Sequence, residues 1–274
     1  MLELLTEEPD APRPVPLVFV HGAWHGAWCW AEHFLPWFAE RGWRCLAPSL
    51  RHHGGSDGPG SLRWARIDDH VDDLAQVVGD LPVPPVLIGH SMGGFVVQRY
   101  IDRGLPLAAA ALLAPVPHFG VWRTTLSIAR RHPLRFLRVN LTMSLYPLMS
   151  TSALVRELLF SSDTPEDVVA GCQARLGDES YRAFLDMLGL VRIHPRPGAV
   201  PLRIVLAERD QTIAPRDVRA TAAAWGVDPQ PFDIAHDLIL EPGWEAVAQD
   251  VAGWLEGLDP SAKALQAPGP QRGR

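Results

Sequence analysis

"PPVLIGHSMGGFVVQRY", Pro84 to Tyr100, is the stretch on which the reading of this chain turns. Val86, Leu87 and Ile88 run into Gly89. After His90, Ser91 and Met92 come Gly93 and Gly94, and then a helical pattern begins. A short apolar run bounded by Pro and Gly reads as a buried strand. Glycine costs stability in strands and in helices, so glycines on both sides of one serine need a geometric reason. A strand that turns sharply into a helix supplies it. The central residue is forced into strained angles, and a Cβ at either flanking position would clash. G-x-S-x-G, here Gly89 to Gly93, is the pattern of that turn. It holds Ser91 Oγ out at the carboxyl end of a sheet, where ligands of open α/β sheets bind. The N–H groups of the following helix favour negative charge at the same spot. A helix-capping serine in a glycine-rich turn would use the same letters. A phosphate cradle would need G-x-x-x-x-G-K-[ST], which is absent.

Outward from this turn, short apolar runs recur: 16–20, 43–48, 85–89, 109–115, 202–207 and 229–234. Amphipathic segments separate many of them, including "WCWAEHFLPWFAERG", "IDDHVDDLAQVVGDL" and "GWEAVAQDVAGWLEGL". Apolar strands alternating with helices predict an α/β fold with a mostly parallel sheet covered on both faces. The alternation lapses over 117–201, which reads as helices throughout. The expected organisation is a core of 1–116 and 202–258, a helical cap over 117–201, and a frayed tail over 259–274.

A serine hydroxyl is a weak nucleophile and needs a base, which needs an orienting acid. The chain order for a nucleophile in this setting is Ser, then Asp or Glu, then His. "LRIVLAERDQTIAP" places Asp210 in a loop after a strand, with Glu208 as a nearby competitor. "PFDIAHDLILEPGW" places His236 after the last strand. An oxyanion needs two N–H donors. Met92, directly after the nucleophile, is one. The other is expected from "VHGAWHGAWCW" (20–30), where Gly22 lets the backbone approach; Ala23 N–H is the natural donor, with Trp24 as alternative. The pairs His21/His25 and His52/His53 lack a carboxylate-rich metal signature, and no metal or other cofactor is expected.

The net charge of −6 and pI near 6.0 come without a basic run, which argues against a nucleic-acid partner. The longest apolar run, 105–116, is too short for a membrane span, and no membrane partner is expected. The three cysteines, Cys29, Cys45 and Cys172, are far apart and match no CxxC spacing. They read as reduced thiols in a cytoplasmic protein. The acidic, proline-rich N-terminus does not read as a signal peptide. Homo-oligomerisation is left open.

The pieces "HGAW", "GHSMGG", "LAERDQTIAP" and "HDLILEP", in this order and spacing, make the chain from Pro14 to Leu258 resemble the α/β-hydrolase superfamily. "HGAWHGAWCW" is especially similar to the branch holding methyl-ester esterases and hydroxynitrile lyases. "SLRHHGGSDG" (49–58) resembles the family's D-x-R-G-H-G-x-S segment, with Ser49 in place of Asp and His52 in place of Gly, read as a surface-loop difference. The resemblance implies the α/β-hydrolase fold and a serine esterase acting on small, apolar carboxylic esters or thioesters. Similar lyases carry a lysine after the catalytic histidine and a threonine after the oxyanion-loop histidine. Asp237 and Gly22 stand there, which disfavours cyanohydrin chemistry. C–C bond hydrolysis, a receptor role and haloperoxidase-like side activity remain alternatives. Substrate contacts are expected from Trp24, Trp28, Trp122, Met143, Leu145 and Phe160, with Leu126, Phe136, Met149 and Leu159 as further cap wall.

Overall fold

The computed structural model describes residues 1–258; the expected tail, 259–274, lies outside the described residues. Seven strands form one sheet in the order β1-β3-β2-β4-β5-β6-β7. They are β1 (Leu4–Glu7), β2 (Leu17–Val20), β3 (Cys45–Pro48), β4 (Val86–His90), β5 (Ala109–Leu113), β6 (Leu202–Ala207) and β7 (Gln230–Phe232). All pairings are parallel except β1 with β3. Every residue of β2, β3, β4 and β5 is buried. That explains their continuous apolar runs: a strand covered on both faces has no polar side to alternate with.

On the sheet lie α1 (Trp28–Ala31), α2 (Phe34–Ala39), α3 (Ile67–Gly79) and α4 (Met92–Asp102). Between β5 and β6 the described residues hold only helices and loops: α5 (Trp122–Arg131), α6 (Pro133–Thr142), α7 (Ser152–Leu159), α8 (Glu166–Arg175) and α9 (Tyr181–Leu185). After β6 come α10 (Pro215–Trp225) and α11 (Trp244–Gly257). The α5–α9 segment rests on the loops that follow β2, β6 and β7. Asp237 N–H donates to Leu159 O at 2.8 Å, Thr124 Oγ1 to Thr212 O at 2.8 Å, and Gly177 N–H to Trp24 O at 2.9 Å.

Two readings of the sequence change. Strand β1 falls in the acidic, proline-rich N-terminus, where no strand was expected; only one of its four residues is even partly buried. Edge strands of this kind form because a partner is offered, not because their own pattern demands it. The second change concerns Ser49, which is not a surface-loop residue. It is fully buried, accepts from Ala27 N–H at 2.8 Å and donates to Glu3 Oε2 at 2.5 Å. The Glu3 carboxylate, just before β1, also accepts from Gly55 N–H at 3.0 Å and so ties the N-terminus to this loop. His52 takes a left-handed φ of 64°, as the glycine of the family pattern would.

No helix among the described residues is long and apolar enough to cross a membrane.

Candidate active site

Strand β4 and helix α4 meet at Ser91, whose φ of 51° and ψ of −116° lie outside the ordinary regions for a residue with a side chain. The neighbours of this turn have no room for Cβ atoms. One on Gly89 would lie 2.5 Å from Gly93 O, and one on Gly93 would collide with Val20 O. The strain is held by hydrogen bonds: Ser91 N–H to Leu113 O at 3.0 Å, and Val116 N–H to Ser91 O at 3.0 Å. Strain that its surroundings over-determine is a mark of a functional site.

Three residues far apart in sequence converge here. His236 Nε2 lies 2.8 Å from Ser91 Oγ, and His236 Nδ1 lies 2.6 Å from Asp210 Oδ2. The other carboxylate oxygen, Oδ1, accepts from Thr212 N–H and Ile213 N–H at 2.7 Å each. Glu208 is not near this line: it pairs with Arg219 at the surface. Burial alone would depress the His236 pKa, but the charge and hydrogen bond of Asp210, with Asp237 behind, outweigh it and raise it. Ser91 and His236 are both buried, 7% and 2% exposed.

His90, the variable residue of the G-x-S-x-G pattern, was not singled out from sequence. Its Nε2–H donates to His236 O at 2.9 Å, which ties the histidine loop to the nucleophile turn. Burial, aided by His236, lowers its pKa to about 3, so it is neutral. Sequence offered no signal for this role, since the motif leaves the position free.

The loop between β2 and α1 passes over Ser91. A Cβ on Gly22 would come 3.0 Å from His90 Nδ1 and 3.2 Å from Ser91 Cβ, closer than ordinary packing, so glycine allows the approach. His21 accepts Leu50 N–H at Nε2 (3.0 Å), and so donates from Nδ1 to Gly22 O (2.8 Å). It is a loop fixture, kept neutral by burial and by His53. Trp24 N–H donates to Glu179 Oε2 at 3.2 Å and is already engaged. Ala23 N–H donates to no protein group among the described residues.

The six expected substrate contacts are scattered. Trp24 and Trp28 are partly buried beside the loop, Trp28 stacking on His25 with ring centroids 5.2 Å apart. Leu145 and Phe160, within the helical segment, are buried in the apolar core. Trp122 is 48% exposed. Met143 lines a cleft of about 420 Å³ with Ser61, Leu62, Arg63, Trp64, Asp178 and Glu179.

Among the described residues, one group could hold a metal ion: His25, Cys172 and Asp237, whose ligand atoms lie within 4.8 Å of one another. The group is also consistent without an ion. Both His25 nitrogens face acceptors, Ala23 O at 2.8 Å and Asp237 Oδ2 at 3.2 Å, and the Cys172 thiol donates to the same carboxylate. All three cysteines are buried and free. Burial pushes each thiol pKa upward, which makes them poor nucleophiles.

Comparison with known proteins places the chain in a family. Residues 17–263 match the family described as "Alpha/beta hydrolase family". A non-heme chloroperoxidase of Streptomyces lividans is 37% identical over 38% of this chain and 37% of its own length. Methylesterase 3 of Arabidopsis thaliana is 33% identical over 34% of this chain and 36% of its own. The chain thus spans little more than a third of the length of these two curated relatives. Among solved structures, a thermophilic esterase from Thermogutta terrifontis superimposes with a TM-score of 0.71 at 21% identity, covering 93% of this chain and 94% of that one. An enol-lactonase from Burkholderia xenovorans LB400 gives 0.71 at 18% identity, covering 93% and 97%. At these identities the structural likeness speaks for the fold.

Proposed function

This chain belongs to the alpha/beta hydrolase family, and from that premise we propose that it is a serine hydrolase cleaving small, largely apolar carboxylic esters or thioesters through an acyl-Ser91 intermediate. The observation that carries the reading is the hydrogen-bonded line Ser91–His236–Asp210, with links of 2.8 and 2.6 Å. Relatives named as esterases, among them a carbendazim hydrolyzing esterase of Nocardioides and Methylesterase 3, support the reaction class.

In this reading His236 Nε2 takes the Ser91 proton as Oγ attacks the carbonyl carbon. The ring becomes an imidazolium held by Asp210. The new oxyanion is received by Met92 N–H, at the start of α4, and by Ala23 N–H. His236 then returns its proton to the departing alcohol or thiol. A water activated by the same nitrogen hydrolyses the acyl group. Nothing in this sequence of steps requires a cofactor. Ser91 is shut away from water, which disfavours a charged acyl group, whose unpaired desolvation is costly. The segment 117–201 acts in this scheme as a cap over the core.

The test is a panel of p-nitrophenyl esters of graded chain length, thioesters, cyanohydrins and vinylogous diketones, on wild type and Ser91→Ala. Esters or thioesters should turn over with wild type only. A fluorophosphonate should label wild type and not the variant. Turnover of the diketones alone would replace this reading with C–C bond hydrolysis. Tight binding of a ligand without turnover would replace it with a receptor role.

A further inference from the structure

The loop from Gly22 to His25 contains three consecutive peptide units, and their polar groups are held one by one. Gly22 O accepts from His21 Nδ1 at 2.8 Å and from His25 N–H at 3.4 Å. Ala23 O accepts from His25 Nδ1 at 2.8 Å. Trp24 O accepts from Gly177 N–H at 2.9 Å, and Trp24 N–H donates to Glu179 Oε2 at 3.2 Å. The group without a protein partner among the described residues is Ala23 N–H. Trp24 has a φ of 65°, left-handed for a residue with a bulky side chain. That conformation is strained for a residue with a Cβ and persists only where contacts impose it. Both contacts on Trp24's own N–H and C=O come from the segment that joins α8 to α9, outside the hydrolase core.

We propose that Glu179 is a positioning residue for the oxyanion site: by gripping Trp24 N–H it fixes the Ala23–Trp24 peptide and thereby aims Ala23 N–H at the carbonyl bound to Ser91. The inference rests on the serine-hydrolase reading. Its consequence is that the hole is complete only when the 177–179 strap is seated on the loop, so cap and chemistry are coupled.

The carboxylate needs explanation on its own account. Glu179 is 1% exposed, and a bare anion behind an oxyanion hole would oppose the charge that develops there. His53 Nε2 lies 3.1 Å from Glu179 Oε2. Burial works against both charges. The attraction between them prevails, raising the His53 pKa and lowering that of Glu179. His53 Nδ1 also faces an acceptor, Arg51 O at 3.1 Å, so both ring nitrogens are placed to donate, and the doubly protonated ring makes with Glu179 an ion pair of no net charge. Glu179 Oε1 is occupied by Ser180 N–H at 2.5 Å, which holds the carboxylate plane. A neutral acceptor would serve for a loop contact alone. An anion neutralised by a buried histidine gives a stronger grip, since hydrogen bonds to charged acceptors are roughly twice as strong as neutral ones.

The experiment compares wild type, Glu179→Gln, Glu179→Ala, His53→Gln and the double variant His53→Gln/Glu179→Gln. The readouts are steady-state ester hydrolysis, thermal melting, and affinity for an alkyl boronic acid, whose tetrahedral adduct on Ser91 places an oxygen in the hole. A misaimed donor should lower kcat about tenfold to a hundredfold in Glu179→Ala, with KM within about twofold. Boronate affinity should fall in parallel with kcat. His53→Gln should leave an unneutralised carboxylate and lose activity, and adding Glu179→Gln should recover part of it. Wild-type kcat and boronate affinity in the folded Glu179 variants would overturn the positioning role while leaving the hydrolase reading intact. So would KM rising with kcat unchanged, or simple additivity in the double variant. A wild type that neither hydrolyses esters nor is labelled at Ser91 would overturn the hydrolase reading, and the positioning role with it.

Discussion

Replacing Asp210 by asparagine changes one atom, and the structure says where that atom must go. Oδ1 of Asp210 accepts two backbone N–H groups, Thr212 and Ile213, at 2.7 Å each. An asparagine can satisfy both only by placing its carbonyl oxygen there. Its NH2 then points at His236 Nδ1, where Oδ2 now sits 2.6 Å away. Donor would face donor. The ring escapes by moving its proton to Nε2, which then presents N–H to Ser91 Oγ where the lone pair should be. Flipping the amide does not help, because it would set NH2 against two backbone donors. The same exchange in serine proteases with this constellation costs about 10⁴ in kcat, or about 5.5 kcal/mol of transition-state stabilisation. The assay is steady-state hydrolysis of a short p-nitrophenyl ester by Asp210→Asn, beside Glu208→Gln as comparison, with melting curves to confirm folding. Glu208 is a surface ion-pair partner, and its variant should keep wild-type rates. Asp210→Asn retaining more than about a tenth of wild-type kcat would refute the tautomer argument, and a damaged Glu208→Gln beside it would move the acid to Glu208.

The raised His236 pKa sets a pH dependence. The neutral ring is the base, so kcat/KM should fall on acidification through an inflection above the ordinary histidine value of about 6.5; a profile flat across that region would exclude a histidine base. The same shift contributes stability that is full below the unfolded pKa and lost as pH rises through the folded one. The Tm gap between wild type and Asp210→Asn should therefore narrow toward alkaline pH. Gly22→Ala would set a methyl 3.0 Å from His90 Nδ1 and 3.2 Å from Ser91 Cβ. The loop must retreat, and kcat should drop about tenfold or more in a folded protein; an unchanged kcat would mean that the loop position is not set by this approach. Ser49→Ala removes the acceptor of the buried Ala27 N–H and the donor to Glu3. A stability loss of about 1–3 kcal/mol is expected in denaturant melts, and an unshifted midpoint would show that water or a relaxed loop replaces the hydroxyl.

Local sequence was enough to determine the frame of this protein and to name the three residues, Ser91, Asp210 and His236, that the fold brings together. The apolar runs at 16–20, 85–89, 109–115 and 202–207 could be read because strands buried on both faces must be apolar without interruption. Ser91 could be read because a strained turn excludes Cβ atoms on both sides, so the glycines record the geometry. Asp210 and His236 could be read because parallel strands deliver their following loops to one edge of the sheet. Other features have no local signature. Strand β1 pairs at an edge with almost no buried face of its own. Glu3 supplies a carboxylate to Ser49 across 46 positions of chain, His90 holds His236 O across 146, and Glu179 grips Trp24 N–H across 155. Each of these is one polar atom meeting another from a different element. Hydrophobic periodicity and turn chemistry describe neighbours in sequence; which distant donor meets which buried acceptor is decided only when the elements pack, because only then does losing water make the partner obligatory.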